Sequence, residues 1–221
     1  MRLEVVSRGH RPAQRALLGL MKLGPGGVPD VVRALAYRPE LWGGPFSVAT
    51  QAVMRGPSDW SVGERELFAA FVSDRNRCRF CAMGHEATAA RALGDDLVAA
   101  ALADPAHPSL RGEVRAALGL VEKLTLDPGQ VGADDVGAVT DAGVSAEAVV
   151  DAIAVCALFC AMNRVADALD FELPSVEAYR RMAPMLLRVG YRGQYLLTWA
   201  SLLGARRRAG ASADQAGAPV K

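Results

Sequence analysis

Between Ser145 and about Leu169 the chain is almost continuously apolar, and Asp151 alone interrupts the run Val149–Met162. A segment this long exceeds the usual strand of about 3–10 residues. Its apolar residues cover every side of a helix, which predicts a long helix buried on most sides. The rest of the chain agrees. Leu17, Leu18, Met21 and Leu23 recur at helical spacing, as do Phe46, Ala49 and Val53. Leu67, Phe68, Phe71 and Val72 form another stripe, and Leu110, Val114, Leu118, Val121 and Leu124 a fourth. No region sustains the apolar–polar alternation of a half-buried strand. The expected fold class is therefore all-α.

Punctuation between these stripes divides the helices. Gly24-Pro25-Gly26-Gly27 stops the first pattern, Arg38-Pro39 ends a short helix from Pro29, and Gly43-Gly44 is read as a break before Pro45 opens the next. Arg55 to Trp60 reads as a loop. Ser61-Val62-Gly63-Glu64 fits a capping box, and Asn76 is the expected N-cap of the following helix, which ends at Gly94. Asp95–Ala103, Ser109–Thr125 and Ala133–Ala142 are further helices. Beyond Pro174, Val176–Val189 and Tyr191–Arg208 read as helical, with Pro184 breaking or kinking the first. Residues 1–28 are expected to be an N-terminal extension, 29–208 one helical domain and 209–221 a disordered tail.

The 221 residues carry a formal charge of +1 with acids and bases interspersed, which gives no electrostatic footprint for nucleic acid. Arg206-Arg207-Arg208 is read as a helix-end cap. The sequence reading finds no apolar run approaching the roughly 20 residues that cross a bilayer, and no signal-peptide cleavage site. The expectation is a soluble, cytoplasmic protein without a membrane partner. Four cysteines in a chain of this length do not make a secreted disulfide framework. Two of them stand as Cys-x-x-Cys, which in a reducing compartment implies redox catalysis or metal binding.

That pair is Cys78 and Cys81, with His85 four residues on. On a helix the three side chains share one side, and residues three apart have Cα atoms about 5 Å from each other, within disulfide reach. With Asn76 as cap, Cys78 falls in the first turn, where the helix dipole favours thiolate. His85 is placed to accept a proton from Cys81. The same three residues are plausible zinc ligands, with Cys156 or Cys160 as a fourth, and two inert core cysteines beside a solvated histidine form the blandest reading. Upstream, Glu66 or neighbouring Glu64 can approach the thiols if the two helices fold back on each other, and spacing does not choose between them. Cys156 and Cys160 read as buried packing residues, Arg164 and Asp167 as a surface pair. His10 and His107 lie in loop-like contexts and carry no signal.

The pattern Glu66-(eleven residues)-Cys78-x-x-Cys81-x-x-x-His85, preceded by Val72-Ser73, resembles the AhpD-like alkyl hydroperoxidase and carboxymuconolactone decarboxylase superfamily. Arg38-Pro39-Glu40-Leu41, Arg55-Gly56-Pro57-Ser58, Glu64-Arg65-Glu66-Leu67 and Met162–Leu169 resemble its peroxidase-related branch, so the likeness covers roughly residues 30–190. It implies an AhpD-like helical fold that forms homo-oligomers. It implies Cys81 as the peroxidatic cysteine, Cys78 as the resolving one and Glu66 with His85 as the proton relay. The implied substrate is a small hydroperoxide, re-reduction comes from a dithiol partner (thioredoxin-like or lipoyl protein), and no metal or organic cofactor is required. In one departure, Phe80 stands where hydroperoxidases of the family carry a histidine, which removes one proton-transfer group. A lactone decarboxylase-type lyase, a thiol redox sensor and a zinc-stabilised interaction protein are the alternatives.

Overall fold

The computed structural model describes residues 1–22 and 27–192, and among these every regular element is helical. In chain order the helices are α1 (Glu4–Arg8), α2 (Pro12–Met21), α3 (Asp30–Tyr37), α4 (Gly44–Arg55), α5 (Val62–Arg75) and α6 (Arg79–Leu93). They continue with α7 (Asp95–Ala103), α8 (Gly112–Leu126), α9 (Ala133–Asp141), α10 (Ala146–Leu169) and α11 (Val176–Val189). The all-α expectation holds. The expected helix beyond Tyr191, the Arg206–Arg208 cap and the tail lie outside the described residues, apart from Tyr191 and Arg192.

The central element is α5. Ser61 opens it as a capping box: Ser61 Oγ accepts from the Glu64 amide at 3.2 Å and Glu64 Oε2 accepts from the Ser61 amide at 2.8 Å. Every residue from Gly63 to Ser73 is buried, polar ones included. Phe68, Phe71 and Leu67 supply the core against Leu118 and Val121 of α8 and Ala152 and Val155 of α10. Trp60 closes one end, its ring edge-on to Phe68 and its indole N–H donating to the Ala148 carbonyl at 2.7 Å. Helix α6 folds back along α5, and their approach needs Gly63, where a Cβ would sit 2.8 Å from Leu93 Cδ2. In turn α11 packs on α6.

Several local expectations change. The long apolar α10 buries one side only, through Ala148, Val149, Ala152, Val155, Cys156, Phe159 and Met162, while Val150 is exposed. By length and composition this helix is apolar enough to cross a bilayer, contrary to the sequence reading; half of its apolar window is buried against the other helices. Gly43-Gly44 is no break, because a π-helical turn Pro39–Gly43 runs directly into α4. Pro184 lies inside α11, which continues through it. Arg55 belongs to α4 rather than to the loop. Asn76 closes α5, its amide bonded to the Val72 carbonyl at 3.0 Å, and Cys78 is the residue that caps α6. Between them Arg77 takes φ 61°, a left-handed turn that reverses the chain.

Near the N-terminus the unforeseen α1 packs on α3, and just ahead of it the Arg2 amide donates to the Leu169 carbonyl at the end of α10 at 2.7 Å. Val6, Ala34, Leu35, Met162, Ala166 and Phe171 form a second apolar cluster, and its other buried members are Cys78 and Cys81.

Candidate active site

The turn at Arg77 delivers Cys78 to the N-cap of α6 and Cys81 to its first turn. This moves both thiols two positions toward the N-terminus of the helix relative to the expected placement, so that Cys78 precedes it. Both are free thiols and both are buried. The Cys81 thiol is pushed well above the ordinary range, first by its hydrogen bond with the Cys78 thiol, then by burial and by the charge of Asp167. At rest Cys81 is therefore a neutral thiol. The thiolate expected from the helix end alone does not survive the apolar cluster around it, although the amide end of α6 still favours negative charge that develops there.

His85 stands one turn further along α6, against the Phe159 ring at 4.4 Å between centroids. Its Nδ1 lies 2.6 Å from Glu66 Oε2. An ionised carboxylate only accepts, so Nδ1 carries the hydrogen, and in the neutral form of the ring the lone pair is on Nε2. Nε2 has no hydrogen-bond partner among the described residues. Glu66, fully buried in α5, is held on its other side by Arg55 Nη2 at 2.6 Å from Oε1. The Tyr191 hydroxyl donates to the same oxygen at 3.0 Å and lies 3.5 Å from His85 Nδ1. Burial raises the Glu66 carboxyl, but the charges and hydrogen bonds of His85 and Arg55 together outweigh it, and the net direction is down. Tyr191 is held well above its ordinary value by burial and then by Glu66, so it stays a neutral donor.

Four expected residues thus divide into two joined pairs: Cys78 with Cys81, and Glu66 with His85. Glu64 is spent on the Ser61 cap and on Arg111 at 2.6 Å, leaving Glu66 as the carboxylate at the histidine. Cys81 and His85 both line one cavity of about 360 Å³, while Cys78 and Glu66 lie behind them. Its wall is mostly apolar, with Phe46, Phe80, Phe159, Met162, Met182 and Tyr179. The Phe80 ring stands edge-on to Phe171 at 5.1 Å and to Tyr179 at 6.3 Å, and the Phe80 carbonyl accepts from the Tyr179 hydroxyl at 2.9 Å.

Sequence reasoning missed Arg55 and Tyr191. Arg55 opens the Arg-Gly-Pro-Ser string already noted, and a fully buried carboxylate demands a cation, so a search for the counter-ion of Glu66 could have found it. Tyr191 carried no such signal. It is set by the end of α11, where Arg55 Nη2 donates to the Leu186 carbonyl at 3.1 Å and Gln51 Oε1 accepts from the Tyr191 amide at 2.8 Å. Asn163 is buried with Oδ1 accepting from Ser73 Oγ at 3.1 Å, and Ser73 carbonyl accepts the Cys78 amide at 2.9 Å, so the Met162–Leu169 string does face the thiol helix. Arg164 bonds the Cys160 carbonyl at 2.6 Å instead of pairing with Asp167. His10 is buried, with Nε2 2.9 Å from the Arg33 carbonyl.

Among the described residues no group of three His, Cys, Asp or Glu side chains is arranged to hold a metal ion. His85 is instead committed through Nδ1 to Glu66, while the thiols lie in an apolar cluster.

No family model matches the chain, and no curated protein matches it. Solved structures do. An uncharacterized peroxidase-related protein from Silicibacter sp. TM1040 is similar with a TM-score of 0.69 at 24% identity, over 80% of this chain and 93% of that one. A second, an alkylhydroperoxidase AhpD core from Ralstonia eutropha JMP134, gives 0.66 at 24% identity, over 77% and 90%. The debrominase Bmp8 gives 0.63 at 17% identity, over 85% and 94%. The fold of this chain is that of the AhpD-like, peroxidase-related structures.

Proposed function

We propose that this AhpD-like fold carries a thiol-dependent peroxidase that reduces hydroperoxides at Cys81. The observation that supports it most is the shared wall: Cys81 and His85 face one apolar cavity, and His85 is backed by the buried Glu66–Arg55 pair. His85 Nε2 takes the Cys81 proton, directly or through one water, as the hydroperoxide enters. The thiolate attacks the terminal oxygen of R–O–O–H and the O–O bond breaks. The leaving alkoxide takes the proton back from His85 as alcohol, and Cys81 becomes the sulfenic acid. Cys78, buried in the same apolar cluster as Cys81, attacks that sulfur, releases water and closes the disulfide. An external dithiol, thioredoxin-like or lipoyl-bearing, restores both thiols by two exchange steps.

Glu66 keeps His85 in the tautomer that leaves Nε2 basic and stabilises the imidazolium formed in transit. Arg55 and Tyr191 hold Glu66 ionised and in place. Self-association belongs to the same reading, and light scattering tests it.

Steady-state hydroperoxide consumption with a dithiol donor tests the mechanism. Cys81→Ser and Cys78→Ser should both lose turnover, with Cys78→Ser still consuming one equivalent of peroxide. Full retention in either variant rejects the scheme.

A second reading uses the same dithiol for reductive dehalogenation. It is supported by the fold likeness to the debrominase, one of whose cysteine-to-alanine variants is known in complex with 2,3,4-tribromopyrrole, and by the aromatic cavity wall here. The balance is Ar–Br plus two thiols giving Ar–H, HBr and the disulfide. Bromide release from a brominated pyrrole, measured beside peroxide consumption, separates the two readings.

A further inference from the structure

Cys156 belongs to the main apolar core and Cys160 packs against it, as the sequence reading expected. They lie four apart on α10, and each sulfur has its own polar surroundings. Cys156 is buried, its Sγ 3.3 Å from Thr125 Oγ1 and 4.0 Å from the Val121 carbonyl. Cys160 is partly exposed, and its Sγ accepts from Asn76 Nδ2 at 3.5 Å. Arg164, one turn on, brings its guanidinium to the Cys160 carbonyl at 2.6 Å. An inner thiol that can donate and an outer sulfur that receives an amide and faces a cation are what an attacking thiolate and its resolving partner need. Residues four apart on a helix have Cα atoms about 6 Å from each other, inside the roughly 4.4–6.8 Å that a disulfide accepts, but their Cβ atoms are about 5–6 Å apart, so closing the bond must draw that turn of α10 together.

We propose that Cys156 and Cys160 form a second redox-active dithiol, which reacts with low-molecular-mass disulfides independently of the Cys78–Cys81 pair. The Cys160 thiolate attacks one sulfur of R–S–S–R, forming a mixed disulfide and expelling R–S⁻, which takes the Cys156 proton. Cys156 then attacks Cys160 sulfur, closes the intrahelical disulfide and releases the second R–S⁻, protonated by solvent. Two thiols are oxidised and one external disulfide is reduced to two thiols. The charge balance around the pair agrees: hydrogen bonding from Cys156 first, then from Asn76 and Arg164, pulls Cys160 down to about 5 against its burial, while Cys156 is raised by Cys160 and by burial. Asn76 closes α5 two positions before Cys78, so oxidation replaces a charged acceptor with a neutral one beside the junction that delivers the first pair.

The test uses a Cys78→Ser/Cys81→Ser chain, so it does not depend on the peroxidase reading, with oxidised glutathione at pH 6 and peptide mapping by mass spectrometry. A Cys156–Cys160 disulfide is expected, and adding Cys156→Ser should arrest the reaction at a glutathione adduct on Cys160. Iodoacetamide at pH 6 gives the second readout. Ionisation favours Cys160 roughly 300-fold over an ordinary thiol, and the lower nucleophilicity of a more acidic thiol returns about 40-fold, leaving about tenfold faster labelling. Asn76→Ala should slow that labelling. The same mapping on the wild-type chain, where peptides resolve the two pairs, guards against misfolding of the variant. Two free thiols at 156 and 160 after treatment, or an adduct that never resolves with Cys156 present, overturns the proposal.

Discussion

Replacing Arg55 by Met removes the only arginine at a fully buried carboxylate and should be among the most destabilising single changes in the described chain. The Arg55 side chain is 8% exposed and Glu66 0%. The substitution deletes the 2.6 Å bond to Glu66 Oε1, the 3.1 Å bond to the Leu186 carbonyl and the cation over the Tyr191 ring. Glu66 keeps His85 and Tyr191, but its desolvation is no longer offset by a full positive charge. Breaking one partner of a buried pair costs about 3–5 kcal/mol. For a chain of this size, roughly 2–4 °C per kcal/mol gives a Tm loss on the order of 6–20 °C. Arg180→Met is the control, because Arg180 and Asp95 form a 3.1 Å pair that is 65% and 71% exposed, where about 0–1 kcal/mol is expected. Urea unfolding at fixed protein concentration measures both. The pH dependence has a definite sign. In the wild type the Glu66 carboxyl is held below its unfolded value, so its stabilisation is present above the ordinary carboxylate range and is lost as pH falls through the folded value. Without Arg55 two of the contributions that lower the carboxyl are lost and it rises from its wild-type value, so the variant tolerates protonation better and the gap to wild type narrows as pH falls. In Arg55→Met/Glu66→Gln, with both charges gone, much of the loss should return. A loss below about 1 kcal/mol for Arg55→Met, no larger than the surface control, refutes the reasoning.

Tyr191→Phe removes a 3.0 Å donor from Glu66; it should cost about 1–3 kcal/mol and move the acidic limb of the peroxide-turnover profile to higher pH, whereas an unmoved limb argues against any role for the hydroxyl. Gly190→Ala places a Cβ 2.9 Å from Arg55 Cγ at φ +67°, so about 1–3 kcal/mol of stability and part of the turnover should be lost, read by thermal unfolding and kcat/KM together. Phe80→His gives up two edge-on ring pairs, at about 1–3 kcal/mol in urea unfolding, and restores a proton-transfer group beside Cys81. Peroxide turnover should rise; an unchanged or lower rate would show that His85 alone carries the proton.

What was legible in the sequence is what depends on neighbours within one or two helical turns. Ser61 and Glu64 cap α5 through bonds spanning three residues, and Ser145 opens α10 in the same local way. The one-turn spacing of Cys81 and His85 on α6 is of the same kind, whereas Cys78 stands ahead of the helix as its N-cap. Asn76 failed because two local signals compete. An asparagine after a charged run fits an N-cap, yet α5 continues through Arg75, which gains a 2.7 Å bond to Glu122, and the true reversal is a left-handed Arg77 that no pattern announces. The half-exposed α10 failed for another reason, since apolar composition reports what a helix can bury and not how many neighbours surround it.

The charge logic of the site was the least legible part, because it is made of contacts distant in sequence. Glu66 meets Arg55 across 11 positions, His85 across 19 and Tyr191 across 125. Each contact alters the state of the others. Without Arg55 the buried carboxyl rises; without the carboxylate His85 loses the partner that fixes its tautomer. Cys81, from its place at a helix end, reads as a thiolate, yet the fold buries it in one cluster with Val6, Leu35, Met162, Phe171 and the Cys78 thiol, and the resting thiol is neutral. A neutral resting thiol changes what the histidine is for. A preformed thiolate needs only orientation, whereas a protonated one needs a base that acts when substrate arrives. In the proposed scheme the buried Glu66–Arg55 pair prepares that base: bonded to His85 Nδ1, the carboxylate fixes the tautomer in which Nε2 is the nitrogen free to take the proton.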